Sequence, residues 1–138
     1  SGRYDNFRSD MKKKILLIDD DVDLIEMNRA LLSVMGYEVD FAYNGEEGLD
    51  KIRSWQPDLV VLDVMMNSPG EGFEVARRIK TDQALRAIPV VMLSAVNNES
   101  GLSLRVGPDR QWNPVDAFID KPVRKEQLLK TIRHLLSI

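Results

Sequence analysis

Asp19, Asp20 and Asp21 stand together in this chain; Asp63, Ser94 and Lys121 stand alone further on. Each of these residues follows or closes a short run of branched apolar residues: Ile15 to Ile18, Leu59 to Leu62, Val90 to Leu93 and Ala117 to Ile119. If the runs are strands of one parallel sheet, their polar ends meet on a single rim. Carboxylates crowded in this way repel one another unless a cation sits among them. Carboxylates, a hydroxyl and an ammonium so gathered suit the binding of a cation.

The intervening sequence supplies the elements for such a rim. Apolar runs of this length between helical patterns read as strands buried on both faces. The spacing of Leu24, Met27, Leu31 and Val34 predicts one buried face on a helix from Val22 to Met35, with Gly36 as its left-handed cap. Glu38 to Phe41 is a second strand. Asn44, with Glu47 three residues on, resembles a capping box and opens a helix to about Arg53. After Pro57 and Asp58 comes the strand Leu59 to Leu62, then a loop at Asn67, Ser68, Pro69 and Gly70. Phe73, Ala76 and Ile79 give the next helix its stripe. Pro89 opens the strand Val90 to Leu93, and a terminal helix carries Leu128, Leu129, Ile132, Leu135 and Leu136.

Strand and helix thus alternate, which predicts an α/β domain with right-handed crossovers. Five strands suit a flavodoxin-like doubly wound parallel sheet of order 2-1-3-4-5, with helices on both faces. In that order strands one and three are neighbours, so Asp19 and Asp20 stand beside Asp63 where the winding reverses.

The 138 residues fit one domain, at 13–138, behind a polar arm or tag remnant at 1–12. Cysteine is absent, which excludes thiolate metal sites and suits a reducing cytoplasm. The net charge of −3, with signs interspersed, offers no basic field for direct nucleic-acid binding. The apolar runs are too short for membrane insertion.

The motifs ILLIDDD, PDLVVLDVMM, IPVVMLSA and DAFIDKP together resemble the receiver domain of two-component response regulators, over about residues 13 to 137. The resemblance implies that Asp63 is the phospho-acceptor. It implies Mg²⁺ held by Asp19, Asp20, Asp63 and the backbone carbonyl of Met65, with Asp20 binding directly and Asp19 partly through water. Asp21 matches a position often acidic in the family, but a helix-capping role is equally open to it, and it is left out of the cation's ligand set. Lys121 would pair with Asp63 and then with the phosphoryl group, across a cis bond to Pro122. Ser94 would donate its hydroxyl to the phosphoryl group, Ala95 would lie beside it through its backbone, and Phe118 would be the switch aromatic.

The implied donor is a sensor histidine kinase or phosphotransfer protein. The output would be docking onto an unknown downstream protein, with phosphorylation-dependent dimerisation as an option. The domain would assist its own phosphorylation and dephosphorylation without being an enzyme in the ordinary sense. The alternative is a receiver-like interaction scaffold that takes no phosphate. A small phosphatase with an aspartyl nucleophile ranks behind both, since Met65 stands where its general acid would be.

The sequence departs from the family pattern in two places. Asn67 stands where a proline is common. The stretch from Ser94 to Lys121 is longer than the resemblance implies and is broken by Gly101, Gly107, Pro108 and Pro114. The family's helix between strands four and five is therefore expected to be shortened or irregular. No output domain is evident after the last helix, so a stand-alone regulator and a fragment are both open. Trp55 and Trp112 are expected to be packing residues, and His134 a solvated surface residue off the leucine stripe of its helix.

Overall fold

A computed structural model describes residues 12–64, 66, 70–95 and 115–137. Its elements run β1 (Lys14–Ile18), α1 (Val22–Val34), β2 (Glu38–Ala42), α2 (Gly45–Trp55), β3 (Leu59–Asp63), α3 (Glu71–Thr81), β4 (Val90–Ala95), β5 (Ala117–Lys121) and α4 (Lys125–Leu136). The five strands form one parallel sheet in the order β2-β1-β3-β4-β5. This is the flavodoxin-like topology expected from the alternation.

Alternate residues of each strand face opposite layers. Leu16, Ile18, Val60, Leu62, Val90 and Met92 pack in one core with residues of α2 and α3. Ile15, Leu17, Leu59, Val61, Val91 and Leu93 pack in the other with residues of α1 and α4. All of β3 is buried. Each such aliphatic side chain contributes about 1.5–3 kcal/mol on leaving water, so the central strands, and the polar residues at their ends, are firmly anchored in the interior.

Local signals set the helix ends. Asp21 Oδ1 accepts the Leu24 N–H at 3.1 Å and starts α1. Gly36 follows its end at φ +97°, the left-handed conformation that glycine adopts without steric cost. Asn44 Oδ1 accepts the Glu47 N–H at 2.8 Å, and Glu47 Oε1 reaches back to the Tyr43 N–H at 3.0 Å, one residue earlier than a capping box requires. The helix continues past the expected Arg53 to Trp55, where left-handed Gln56 closes it.

The face of α1 differs from the predicted stripe. Ile25, Asn28 and Leu32 are buried, whereas Met27 is 63 % and Val34 83 % exposed. Leu24 and Leu31 are half-buried at the margin. The apolar residues at Leu24, Met27, Leu31 and Val34 form a regular stripe, but the helix is rotated one residue away from it because Ile25 and Leu32 fill the core beside Leu17. On α3, Val75, Ala76 and Ile79 are buried with Gly72, and Phe73 is half-buried. Leu128 and Ile132 anchor α4, and His134 is exposed on it. Trp55 packs against the first core, and the Lys14 ammonium lies 5.3 Å from its ring centroid. The stretch predicted to hold a shortened helix, together with Trp112, lies outside the described residues, as do Asn67, Ser68 and Pro69.

Candidate functional site

The C-terminal ends of β1 and β3 are adjacent, with Ile18 paired to Leu62. The next residue on each strand is therefore an aspartate beside an aspartate. Asp19 and Asp63 are 4 % and 3 % exposed. Asp20 turns outward to solvent, and Asp21 beyond it is committed to the α1 cap. One carboxylate oxygen each from Asp19, Asp20 and Asp63 lies within 4.8 Å of the others.

Asp19 is held by its neighbour. Its Oδ1 accepts the Asp21 N–H at 2.9 Å, while its Oδ2 is buried without a hydrogen-bond partner. Burial raises its pKa from 3.8 to about 6; the charges of Asp63 and Asp20 add to that, against the Asp21 N–H and the charge of Lys121. A buried oxygen with nothing to accept, in an all-oxygen donor set, fits a hard divalent cation.

Lys121 closes the opposite side. Its Nζ lies 2.8 Å from Asp63 Oδ1. Burial disfavours the ammonium, but the hydrogen bond and charge of Asp63, with Asp19 and Asp21 behind, outweigh it and hold the lysine pKa above its usual value. The Lys121–Pro122 peptide bond is cis, as expected.

Ser94 is 1 % exposed at the end of β4. Its strand neighbours Leu93 and Ala95 pair with Asp63 and Lys121 respectively, so the serine lies between the two in register. Phe118, also on β5, packs against the first core with its ring 6.3 Å from that of Phe73. Asp19, Asp20, Asp63, Ser94, Ala95 and Lys121 thus share one rim, and Phe118 lies lower on β5. The carbonyl of Met65 and the side chain of Ala95 lie outside the described residues.

Glu71 and Gly72, in the first turn of α3, belong to none of the patterns read in the sequence. Glu71 Oε2 accepts the Gly45 N–H at 2.7 Å, and the Gly72 N–H donates to Val64 O at 3.2 Å, directly behind Asp63. A glycine inside a helix that otherwise reads as regular was the available signal.

The family model described as the response regulator receiver domain matches residues 15–133. The transcriptional regulatory protein AfsQ1 of Streptomyces coelicolor is 39 % identical over 124 residues, covering 88 % of this chain and 50 % of that protein. Protein PilH of Pseudomonas aeruginosa is 32 % identical over 128 residues, covering 90 % of this chain and 98 % of PilH. The chain spans about half the length of several of the curated relatives it matches. Among solved structures, the signal receiver domain of a signal transduction histidine kinase from Syntrophus aciditrophicus superposes with a TM-score of 0.78 at 29 % identity, covering 91 % of this chain and 90 % of that one.

Proposed function

This chain belongs to the response regulator receiver domain family, and we propose on that footing that Asp63 accepts a phosphoryl group from the phosphohistidine of a sensor histidine kinase or phosphotransfer protein. The observation that carries the reading is the Lys121 ammonium 2.8 Å from Asp63 Oδ1, beside the Asp19 and Asp20 carboxylates.

Asp63 is the nucleophile. One of its carboxylate oxygens forms the new bond to phosphorus as the P–N bond to the donor imidazole breaks, and the departing nitrogen keeps the bonding pair and takes a proton from solvent. The buried end of β3 fixes the carboxylate in place and so supplies orientation. Lys121 transfers its hydrogen bond from Asp63 Oδ1 to a phosphoryl oxygen, bringing positive charge to where negative charge builds. The Ser94 hydroxyl donates to a second oxygen, with the Ala95 backbone alongside, and Phe118 repacks as the β4 end is drawn in.

Asp19, Asp20 and Asp63, with the Met65 carbonyl, would hold Mg²⁺. When bound, that ion offsets the charge of the carboxylates and of the incoming phosphoryl group. The acyl phosphate biases the domain between two states that a downstream protein distinguishes. Attack by water on phosphorus releases inorganic phosphate and returns the Asp63 carboxylate.

The test is incubation with acetyl phosphate and Mg²⁺, followed by intact mass measurement beside an Asp63→Asn variant. A phosphate-sized gain that requires both Mg²⁺ and Asp63 is expected. No gain in the wild-type chain would overturn the reading in favour of an interaction scaffold.

A further inference from the structure

The geometry points to Gly72 as a positioning residue for the Asp63 carboxylate, an inference that rests on Asp63 being the phosphoryl acceptor. Gly72 is buried in the first turn of α3. A Cβ built on it would lie 2.2 Å from the main-chain oxygen of Asp63 and 2.8 Å from both Cα and O of Val64. These are backbone atoms and cannot rotate aside. Any side chain here therefore displaces either α3 or the end of β3.

Three ties hold α3. Glu71 Oε2 accepts the Gly45 N–H at 2.7 Å, fixing the first turn to the start of α2. The Phe73 ring packs beside Phe118. Val75, Ala76 and Ile79 are buried in the first core. The end of β3 is held less evenly, since its pairing with β1 stops at Leu62 while that with β4 reaches Asp63. The Val64 N–H donates to Leu93 O at 3.0 Å, so the Asp63–Val64 peptide is tied on the β4 side alone and, with α3 held, pivots about that bond. The Asp63 side chain leaves the same Cα as that peptide, so the carboxylate turns with it and away from Lys121. The absence of a side chain at position 72 thus lets α3 press the acceptor into line, with Glu71 as the backstop.

The test uses the full chain with Gly72→Ala, the double variant Glu71→Ala/Gly72→Ala, and Leu128→Ala. The last is a destabilised control from the core on the opposite face of the sheet. Phosphorylation by acetyl phosphate with Mg²⁺ is followed across donor concentrations. Carbon NMR signals of the Asp63 carboxyl and Lys121 side chain are recorded without donor. Gly72→Ala is expected to lower the maximal rate by roughly tenfold to a hundredfold, to leave the half-saturating donor concentration unchanged, and to shift both NMR signals. Leu128→Ala should leave the maximal rate, the half-saturating donor concentration and both NMR signals unchanged. The double variant, although less stable, should recover part of the rate, because α3 can then yield instead of Asp63.

A maximal rate in Gly72→Ala no lower than in Leu128→Ala, or no recovery in the double variant, would overturn the proposal. So would loss of a cooperative melt in both glycine variants, which would assign the residue to folding. Wild-type protein that takes no phosphate would overturn the acceptor reading instead; unshifted Asp63 and Lys121 signals in Gly72→Ala would then still reject the positioning role.

Discussion

Lys121 and Asp63 meet 2.8 Å apart although their strands are not neighbours, β4 running between them. The lysine side chain is 29 % and the aspartate side chain 4 % exposed, so the pair is shielded from water mostly on the carboxylate side. Removing the ammonium leaves buried Asp63 facing Asp19. Lys121→Met is expected to cost about 1–3 kcal/mol, below the range for fully buried pairs because the lysine is partly solvated. Adding Asp63→Asn to it should recover most of the loss. Urea unfolding at neutral pH checks both, and an unchanged midpoint in Lys121→Met would remove the pair from the stability account.

Asp19 gives the pH dependence its sign. Its carboxyl holds its proton up to about pH 6 in the fold, against 3.8 as the ordinary value. Between those values the folded state binds a proton that the unfolded state has lost, so this group's contribution to stability declines as pH rises through 6. In EDTA, thermal stability should therefore increase from pH 7 towards pH 5. Asp19→Asn should flatten this dependence and stabilise the metal-free protein at pH 7 by about 1–3 kcal/mol. A melting profile equally steep in the variant would show that another group governs it.

Asp20 and Asp21 are adjacent but differently placed, Asp20 beside the Asp19 and Asp63 carboxylates and Asp21 on the α1 cap. Asp21→Ala removes the acceptor for the Leu24 N–H and should cost about 1 kcal/mol of stability, with little change in Mg²⁺ affinity. Asp20→Ala should leave stability nearly unchanged and weaken Mg²⁺ binding roughly tenfold or more. Calorimetric titration with Mg²⁺, paired with thermal melts, separates the two. Reversed effects would exchange the assignments.

The rotation of α1 predicts a contrast between near neighbours. Ile25→Ala empties a fully buried position and should cost about 2–5 kcal/mol. Met27→Lys lies on the exposed side and should change stability by less than about 0.5 kcal/mol. Chemical denaturation of the two variants measures the helix phase directly; a large loss in Met27→Lys would restore the stripe read from sequence.

That stripe shows where the sequence stopped being legible. Strand order and the convergence of Asp19, Asp63, Ser94 and Lys121 could be read because doubly buried strands are continuous apolar runs whose polar ends stand out. The face of α1 could not. Its sequence offers two apolar stripes one residue apart, and the one that packs includes Asn28, which no count of apolar residues selects. The acidic triplet was visible as a cluster, but its division into a buried Asp19, an exposed Asp20 and a capping Asp21 follows from the turn after β1. Gly72 shows in the sequence only as a glycine within a helical pattern; its close approach to the end of β3 is a chain-distant contact, and such contacts leave no periodic trace.

The division of the interior by the sheet bears on how this protein can change. Val60 and Leu62 belong to one core and Leu59 and Val61 to the other, so neighbouring residues of β3 answer to different sets of partners. Among the described residues the two cores have no member in common, so the effects of substitutions on opposite faces and more than about 10 Å apart should sum to within about 0.5 kcal/mol. Either helical layer can thus drift or be redesigned without renegotiating the other. What both must preserve is the line of the central strand that carries Asp63.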